Sequence, residues 1–297
     1  MMKKAALCLS VFVCVLLALP VLGFAASAPE SFIVGKVRVT ALQDMPGEMK
    51  LSIFTGVSKE KMESIAPSGS VPAGVTVFLI QDGGKNLLVD TGYGLDSPER
   101  KSALPNLLQR LGLTVDAIDA VLLTHMHGDH IGGHVRDGKP VFPNADVLVG
   151  KVELAYWTAD KTLQERERNA KMARDVVKAY GDKLKTFEFG ETIVPGIVAL
   201  AGIGHTPGHT LLMLSSEDAK ILFWGDLVHG AALQFPMPEV CANFDMNKEE
   251  AVEIRRKIFA SVAAEKIPVA GAHLPFPAIG RVSKSKDGEG YTFQVGI

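Results

Sequence analysis

Cysteine is scarce: there are three in 297 residues, Cys8, Cys14 and Cys241. The first two lie in the apolar N-terminal run, so a chain that has lost this run keeps one thiol and cannot form an internal disulfide. An excess of charge of either sign is also missing, since 31 Lys and Arg stand against 33 Asp and Glu. No stripe of basic residues interrupts this balance, and no nucleic-acid partner is expected. Past residue 22 no apolar run approaches the length of a membrane span. Repeats, low-complexity tracts and a linker between domains are absent as well. What remains is 22% charged and 47% hydrophobic, a balance that suits one domain with one large core.

The first thirty residues read "MMKKAALCLSVFVCVLLALPVLGFAASAPE". Two lysines, an apolar run over 5–22 and small residues at 23 and 25–28 have the layout of a secretory signal peptide. The expected division is a leader over 1–26 and a mature domain over 27–297, with cleavage after Ala25, Ala26 or Ala28. An uncleaved membrane anchor is the alternative, because the run is near spanning length. With cleavage, the protein is exported to the periplasm or the medium and keeps no stable membrane association.

The body of the chain alternates strand-like and helix-like segments. Residues 31–42 read as strand, and 75–92 as a hairpin turned at Asp82, Gly83 and Gly84. The long segment between them, 43–74, is punctuated by Gly, Pro and Ser yet apolar at Met45, Leu51, Ile53 and Phe54. It is either a functional lid or an inert excursion. A helix is expected over 99–112, and strands over 117–124 and 146–150. A second helix is expected over 162–181, with Ala170, Ala173, Val177 and Tyr180 on its apolar face and Gly181 as its stop. Residues 193–204, 211–216 and 221–226 read as strands. Asn247 with Glu250 opens a helix over 247–266, and 267–273 is the closing strand. Strands with helices interspersed predict a mixed α/β layered domain.

Four of the eight histidines crowd into "LLTHMHGDHIGGH", residues 122–134. Where the strand runs on past Thr124, His125 and His127 project to one side and can share a cation. Asp129 and His130, adjacent to each other, diverge toward a second cation. A zinc site built from N and O donors needs about four ligands, so partners are required from elsewhere. His209, Asp226 and His273 each follow a strand-like run or a Pro-Gly turn and supply them. Two neighbouring dications repel, so an anion must lie between them, and Asp226 suits that place. Two Zn²⁺ with Asp129, Asp226 and a bridging hydroxide leave about one net positive charge to meet a developing oxyanion, and a water acidified to a pKa of about 7. That chemistry is hydrolysis.

These motifs resemble those of the metallo-β-lactamase-fold hydrolases. "THMHGDHIGG" is similar to their H-x-H-x-D-H signature, and "LLVDTGYG", "TPGHT", "GD" at 225–226 and "GAHLPFP" match further motifs in the same order, over roughly 32–295. The resemblance implies a four-layer αβ/βα sandwich with a dinuclear site at one edge. It implies one metal on His125, His127 and His209, a second on Asp129, His130 and His273, and Asp226 on both. The expected cofactor is two Zn²⁺, with Fe, Mn or Co as alternatives. An aspartate at 226 sets the chain apart from antibiotic-hydrolysing members, which generally carry cysteine or serine there, and His127 from the flavodiiron branch, which carries glutamate. "GDLVHGAALQFP" with "GAHLPFPAIGRV" is most similar to the methyl-parathion-hydrolase-like and N-acyl-homoserine-lactonase-like branch. Leu95 and His229 depart from both: the former branch has a phenylalanine near 95, the latter a tyrosine at 229.

Around this core, Asp90 either orients a ligand imidazole or caps its own turn. His134 and His205 are expected behind the ligands rather than among them. His229, three residues past Asp226, either contacts substrate or protonates a leaving group, or is structural. Phe54, Trp157 and Phe235 either wall an apolar pocket or pack the core. Cys241 is a small buried apolar residue. The expected substrate is a small molecule with an ester-like bond, a lactone or carboxylic ester first and a phosphotriester second, with Asp129, Asp226 and His229 at the reaction. Assembly as a homodimer stays open. The alternatives are an iron-dependent sulfur dioxygenase on the same scaffold and a non-catalytic metal-binding or sensing protein.

Overall fold

The computed structural model describes residues 26–94, 101–286 and 288–297. The expected leader, apart from Ala26, and Leu95 lie outside the described residues. Residues 31–42 fold not as one strand but as a hairpin, β1 (Glu30–Val34) and β2 (Val37–Met45). It turns at Gly35, whose φ of +59° brings its backbone against Ser216, so closely that a Cβ would lie 2.2 Å from the Ser216 carbonyl oxygen. The 43–74 segment leaves β2 and returns with helix α1 (Lys59–Ile65), capped by Ser58. It closes over its own small core of Leu51, Phe54, Met62 and Val71 against Leu233, Met237 and Val240. The segment is thus a packed flap.

The expected hairpin follows as β3 (Val75–Asp82) and β4 (Lys85–Val89), paired Asp82 to Lys85 across the two glycines. Residues 99 and 100 of the predicted 99–112 helix lie outside the described residues; within the rest, helix α2 covers Leu104–Arg110 and leads to β5 (Ala120–Leu122). The one-turn helix α3 (Gly128–Ile131) comes next, and then β6 (Asp146–Gly150). Three helices follow, α4 (Lys151–Thr158), α5 (Asp160–Glu165) and α6 (Glu167–Tyr180); the predicted 162–181 helix falls on the last two and is broken at Arg166 (φ −138°, ψ 49°). Nothing in "QERERN" marks the break, because Arg and Glu are good helix formers. On α6 the sheet-facing residues are Ala170, Ala173, Val176 and Tyr180; Val176 replaces the expected Val177. Strand β7 (Leu184–Phe187) completes a seven-stranded sheet in simple chain order, antiparallel from β1 to β4 and parallel from β4 to β7.

The second sheet also has seven strands in chain order, but only one of its pairings is parallel. Residues 193–204 bend at Pro195-Gly196 into β8 (Thr192–Val194) and β9 (Ile197–Ala201), followed by β10 (Thr210–Ser216) and β11 (Ala219–Phe223). Helix α7 (Ala231–Gln234) and the long α8 (Lys248–Glu265), opened by Asn247 accepting from the Glu250 N–H, lead to β12 (Val269–Ala270). The predicted closing strand is only these two residues. Beyond it β13 (Ile279–Lys284) and β14 (Tyr291–Val295) extend the sheet, and their charged, half-exposed pattern hid them from a reading based on apolar runs.

The sheets face each other across Val39, Ala41, Phe78 and Ile80 on one side and Ala199, Leu212, Leu214 and Ile221 on the other. Alternate residues of the same strands, Leu42, Val77 and Leu79, point outward to α2, α4 and α6. Strand β3 is therefore buried on both faces from Val75 to Ile80, as a strand between layers must be. Phe259 of α8, fully buried, stacks on Phe235 at 5.0 Å and covers the outer face of the second sheet. The architecture is the expected αβ/βα sandwich in a single domain. Among the described residues no helix is long and apolar enough to cross a membrane. Phe259→Ala is expected to cost about 3–5 kcal/mol, read as a lowered urea midpoint at unchanged slope.

Candidate metal centre

The site is built from residues just beyond strand ends. After β5, Thr124 is followed by His125 and His127, and the chain then enters α3 with Asp129 and His130. The turn between β9 and β10 carries His205, the end of β11 leads into Asp226, and β12 into His273. Gly225, at φ +51°, makes the close approach possible, since a Cβ there would lie 2.7 Å from His209 Nε2 and 2.9 Å from the Thr124 side chain.

Among the described residues three groups of ligand-type atoms result: one is His205, His229 and Asp245, and the other two share Asp226. His125, His127, His205 and Asp226 form one, Asp129, His130, His273 and Asp226 the other, with the atoms of each within 4.8 Å of one another. Asp226 belongs to both, where the need for an anion between two cations placed it. In the first group three imidazole nitrogens make a triangle: His125 Nε2 to His127 Nδ1 3.1 Å, His127 Nδ1 to His205 Nε2 2.9 Å, and His205 Nε2 to His125 Nε2 3.2 Å. Tetrahedral zinc at its usual Zn–N length holds nitrogens about 3.3 Å apart. In the second group, His130 Nε2 and Asp226 Oδ1 lie 3.0 Å apart, buried, yet neither makes a well-formed hydrogen bond. Crowded imidazole nitrogens and buried unsatisfied atoms are what a cation would resolve, and the donor set fits two of them.

The structure corrects one predicted ligand. His209 stands behind the site, its Nδ1–H donating to the Gly202 carbonyl at 2.7 Å and its Nε2 accepting from the Asp226 N–H at 3.0 Å. Both ring nitrogens are used, so His209 orients Asp226 and has no lone pair to offer. His205, expected behind the ligands, occupies the place instead.

The residues that hold the imidazoles are as specific as the imidazoles. Asp90 accepts from the Thr124 N–H and hydroxyl and lies 2.7 Å from His130 Nδ1, which turns His130 Nε2 toward the site. The Gly74 carbonyl does the same for His273 Nδ1 at 2.7 Å, and Asp245 for His205 Nδ1 at 2.8 Å. Asp245 was not foreseen: its stretch, "ANFDMN", carries no metal-site pattern. His134 lies apart, buried against Tyr180 with its Nδ1 2.7 Å from the Thr91 hydroxyl, and burial lowers its pKa to about 3. His229 lies in the site: Nε2 is 3.0 Å from Asp226 Oδ2, and the ring stacks on His273 at 5.2 Å.

Of the two places open to Phe54, Trp157 and Phe235, a pocket wall or the core, all three take the core. Phe54 belongs to the flap core, and Phe235 stacks between Phe259 and Phe293. Trp157 is fully buried beside the His127 ring at 5.4 Å, its indole N–H donating to Glu153 at 2.7 Å. Large flat side chains filled the layers before they could line a surface. Cys241 is a buried free thiol, as expected.

Burial opposes charge throughout this site, and the carboxylates decide where it is overcome. For His205, Asp226 and Asp245 outweigh burial and raise the pKa to about 9; for His273, Asp226 and Asp129 raise it to about 10. His125 and His127, dominated by burial, are held well below the usual value of 6.5. Raised groups stabilise the metal-free fold fully below pH 6.5 and cease to do so as pH climbs through about 9 and 10. The Tm of chelator-treated protein is therefore expected to fall between those limits, and much less so with metal bound. His205→Ala is expected to remove one of two bound metal equivalents, and His209→Ala to keep both at lowered affinity, read by elemental analysis and chelator competition.

The sequence profile of the metallo-beta-lactamase superfamily matches residues 71–265, which include every residue of the site but His273. Among solved structures, the dizinc quorum-quenching lactonase AidC superposes with a TM-score of 0.82 at 25% identity, covering 91% of this chain and 98% of its own. The hydrolase AbOPH of the beta lactamase superfamily also gives 0.82, at 30% identity over 90% and 97%. Sequence relatives match more partially. An N-acyl homoserine lactonase of Bacillus thuringiensis is 27% identical over 43% of this chain and 45% of its own length. A ribonuclease of Thermus thermophilus is 31% identical over 51% of the chain, which spans only 35% of the ribonuclease. Sheet order, a histidine and aspartate cluster at the strand ends and the matched profile agree: the chain belongs to the metallo-beta-lactamase superfamily, with the fold and metal-binding cluster of its hydrolases.

Proposed function

We propose that this chain is an exported dinuclear zinc hydrolase that cleaves a small ester-like substrate, a lactone or carboxylic ester first and a phosphotriester as a secondary activity. The observation that carries the reading is the place of Asp226, common to two ligand groups that are otherwise separate. His125, His127 and His205 would hold one zinc, Asp129, His130 and His273 the other, and Asp226 both. Two such cations supply Lewis-acid polarisation of a substrate oxygen and a water acidic enough to attack near neutral pH.

The protein's own groups prepare that reaction. Asp90, Asp245 and the Gly74 carbonyl fix the rotation of three imidazoles, so the donors are in place before substrate arrives. Asp226, held well below the usual carboxylate range against burial by His130 and His273, stays an anion at the centre. Burial lowers His229 against the pull of Asp226, which leaves a neutral imidazole at pH 7 with Nε2–H toward Asp226 and a lone pair on Nδ1 to accept a proton. Its Nδ1 has no hydrogen-bond partner. Beside Asp226 and stacked on His273, it is placed to take up the proton released by the attacking water and return it to a departing oxygen. The likeness to AidC, a dizinc lactonase whose structure holds an acyl-homoserine product, supports the lactone as first choice. Substrate is the proposed partner, in a periplasmic or extracellular setting.

The test is a panel of acyl-homoserine lactones, aryl esters and phosphotriesters on metal-analysed protein. Two zincs per chain with lactone or ester turnover are expected, and Asp226→Ala should lower kcat/KM by about 100-fold or more. Normal turnover by that variant, or one iron per chain without hydrolysis, would contradict the reading. His229→Ala should lower kcat with little effect on KM, most for substrates with poor leaving groups.

A further inference from the structure

Glu153 sits in the first turn of α4, fully buried, on a helix that holds no proposed ligand. Its two oxygens accept four hydrogen bonds. Oε1 takes the Met126 N–H at 2.9 Å and the Trp157 indole at 2.7 Å; Oε2 takes the Thr206 hydroxyl at 2.7 Å and the Gly208 N–H at 2.9 Å. Met126 lies between His125 and His127, and Thr206 follows His205. One carboxylate therefore ties together the two loops that carry the nitrogen triangle. Contact is close enough to exclude any side chain at 208, where a Cβ would lie 2.3 Å from the Glu153 nitrogen. Trp157, the fourth partner, braces the His127 ring.

None of these four partners is a cation. A buried carboxylate held only by neutral donors is costly, and glutamine, of the same shape, would avoid the charge. Glutamine would, however, turn an amide NH₂ toward an N–H donor on one side, since only a carboxylate offers acceptors to both. The arrangement makes sense if the loop separation must be held while positive charge sits nearby.

We propose that Glu153 is a positioning residue for the His125, His127 and His205 half of the metal centre, setting its affinity by clamping the two loops at the spacing a cation needs. The inference rests on the metal-site reading above. Its test is the stepwise binding of Zn²⁺ to Glu153→Gln by chelator competition, with Co²⁺ absorption as the structural readout. Expected is a loss of about 10–100-fold in the equivalent that also depends on His205, with the other equivalent changed by less than about threefold. The Co²⁺ bands of the first should shift and those of the second stay. Thr206→Val removes one of the four bonds and should weaken the same equivalent by about tenfold at most; it decides the matter if Glu153→Gln does not fold. Unchanged affinities, or a parallel fall of both with a lowered metal-free Tm, would overturn the proposal. Failure of the wild type to bind two equivalents would instead overturn the metal-site reading.

Discussion

A carboxylate buried to 2% exposure cannot remain ionised without compensating positive character around it, and Asp226 gathers that from five histidines. Its oxygens lie 3.0 Å from His130 and His229, 3.2 Å from His205 and His273, and 3.7 Å from His125. Without Asp226 these imidazoles would have no reason to converge. With it, several of them are cationic in the metal-free state, and a metal ion replaces protons in the same field. The rest of the site serves this arrangement: Gly225 lets the strand end approach, and His209 holds the Asp226 N–H from behind.

The fold meets the same constraint on a larger scale. Each sheet runs in simple chain order, and the site residues follow the ends of β5, β11 and β12 and the turn before β10. Strands deliver rigid ends, and the short connections beyond them carry the donors. The 43–74 flap packs onto the 226–245 loop through its own core, with Phe54 pairing opposite Ala242 and close against Gly230. Phe54, one of the aromatics open to either a pocket or the core, is part of the packing between flap and loop.

Arg255 shows how far the supporting structure extends. Fully buried on α8, it donates to the carbonyls of Leu227, Pro238 and Val240 and approaches Asp245. Asp245 in turn holds His205. A helix on the outer layer is thereby joined to a nitrogen of the centre by one arginine and one carboxylate. Neither signals its role in the sequence, because an Arg on a charged helix, beside a second at Arg256, and an Asp in a loop are ordinary.

The sequence by itself determined the layered α/β class, the hairpin at Gly83-Gly84, the capped helix after Asn247, and six of the seven ligand-type residues, because local spacing and strand-end placement are short-range properties. Even the sharing of Asp226 followed from charge repulsion alone. The tertiary structure alone decided between His205 and His209, which one motif presents four residues apart. What separated them was the capture of both His209 nitrogens by the Gly202 carbonyl and the Asp226 N–H, groups 7 and 17 residues away along the chain. The break at Arg166, the last two strands and the burial of Phe54, Trp157 and Phe235 were decided the same way. Each depends on what the surrounding layers leave room for, and no local pattern carries that information.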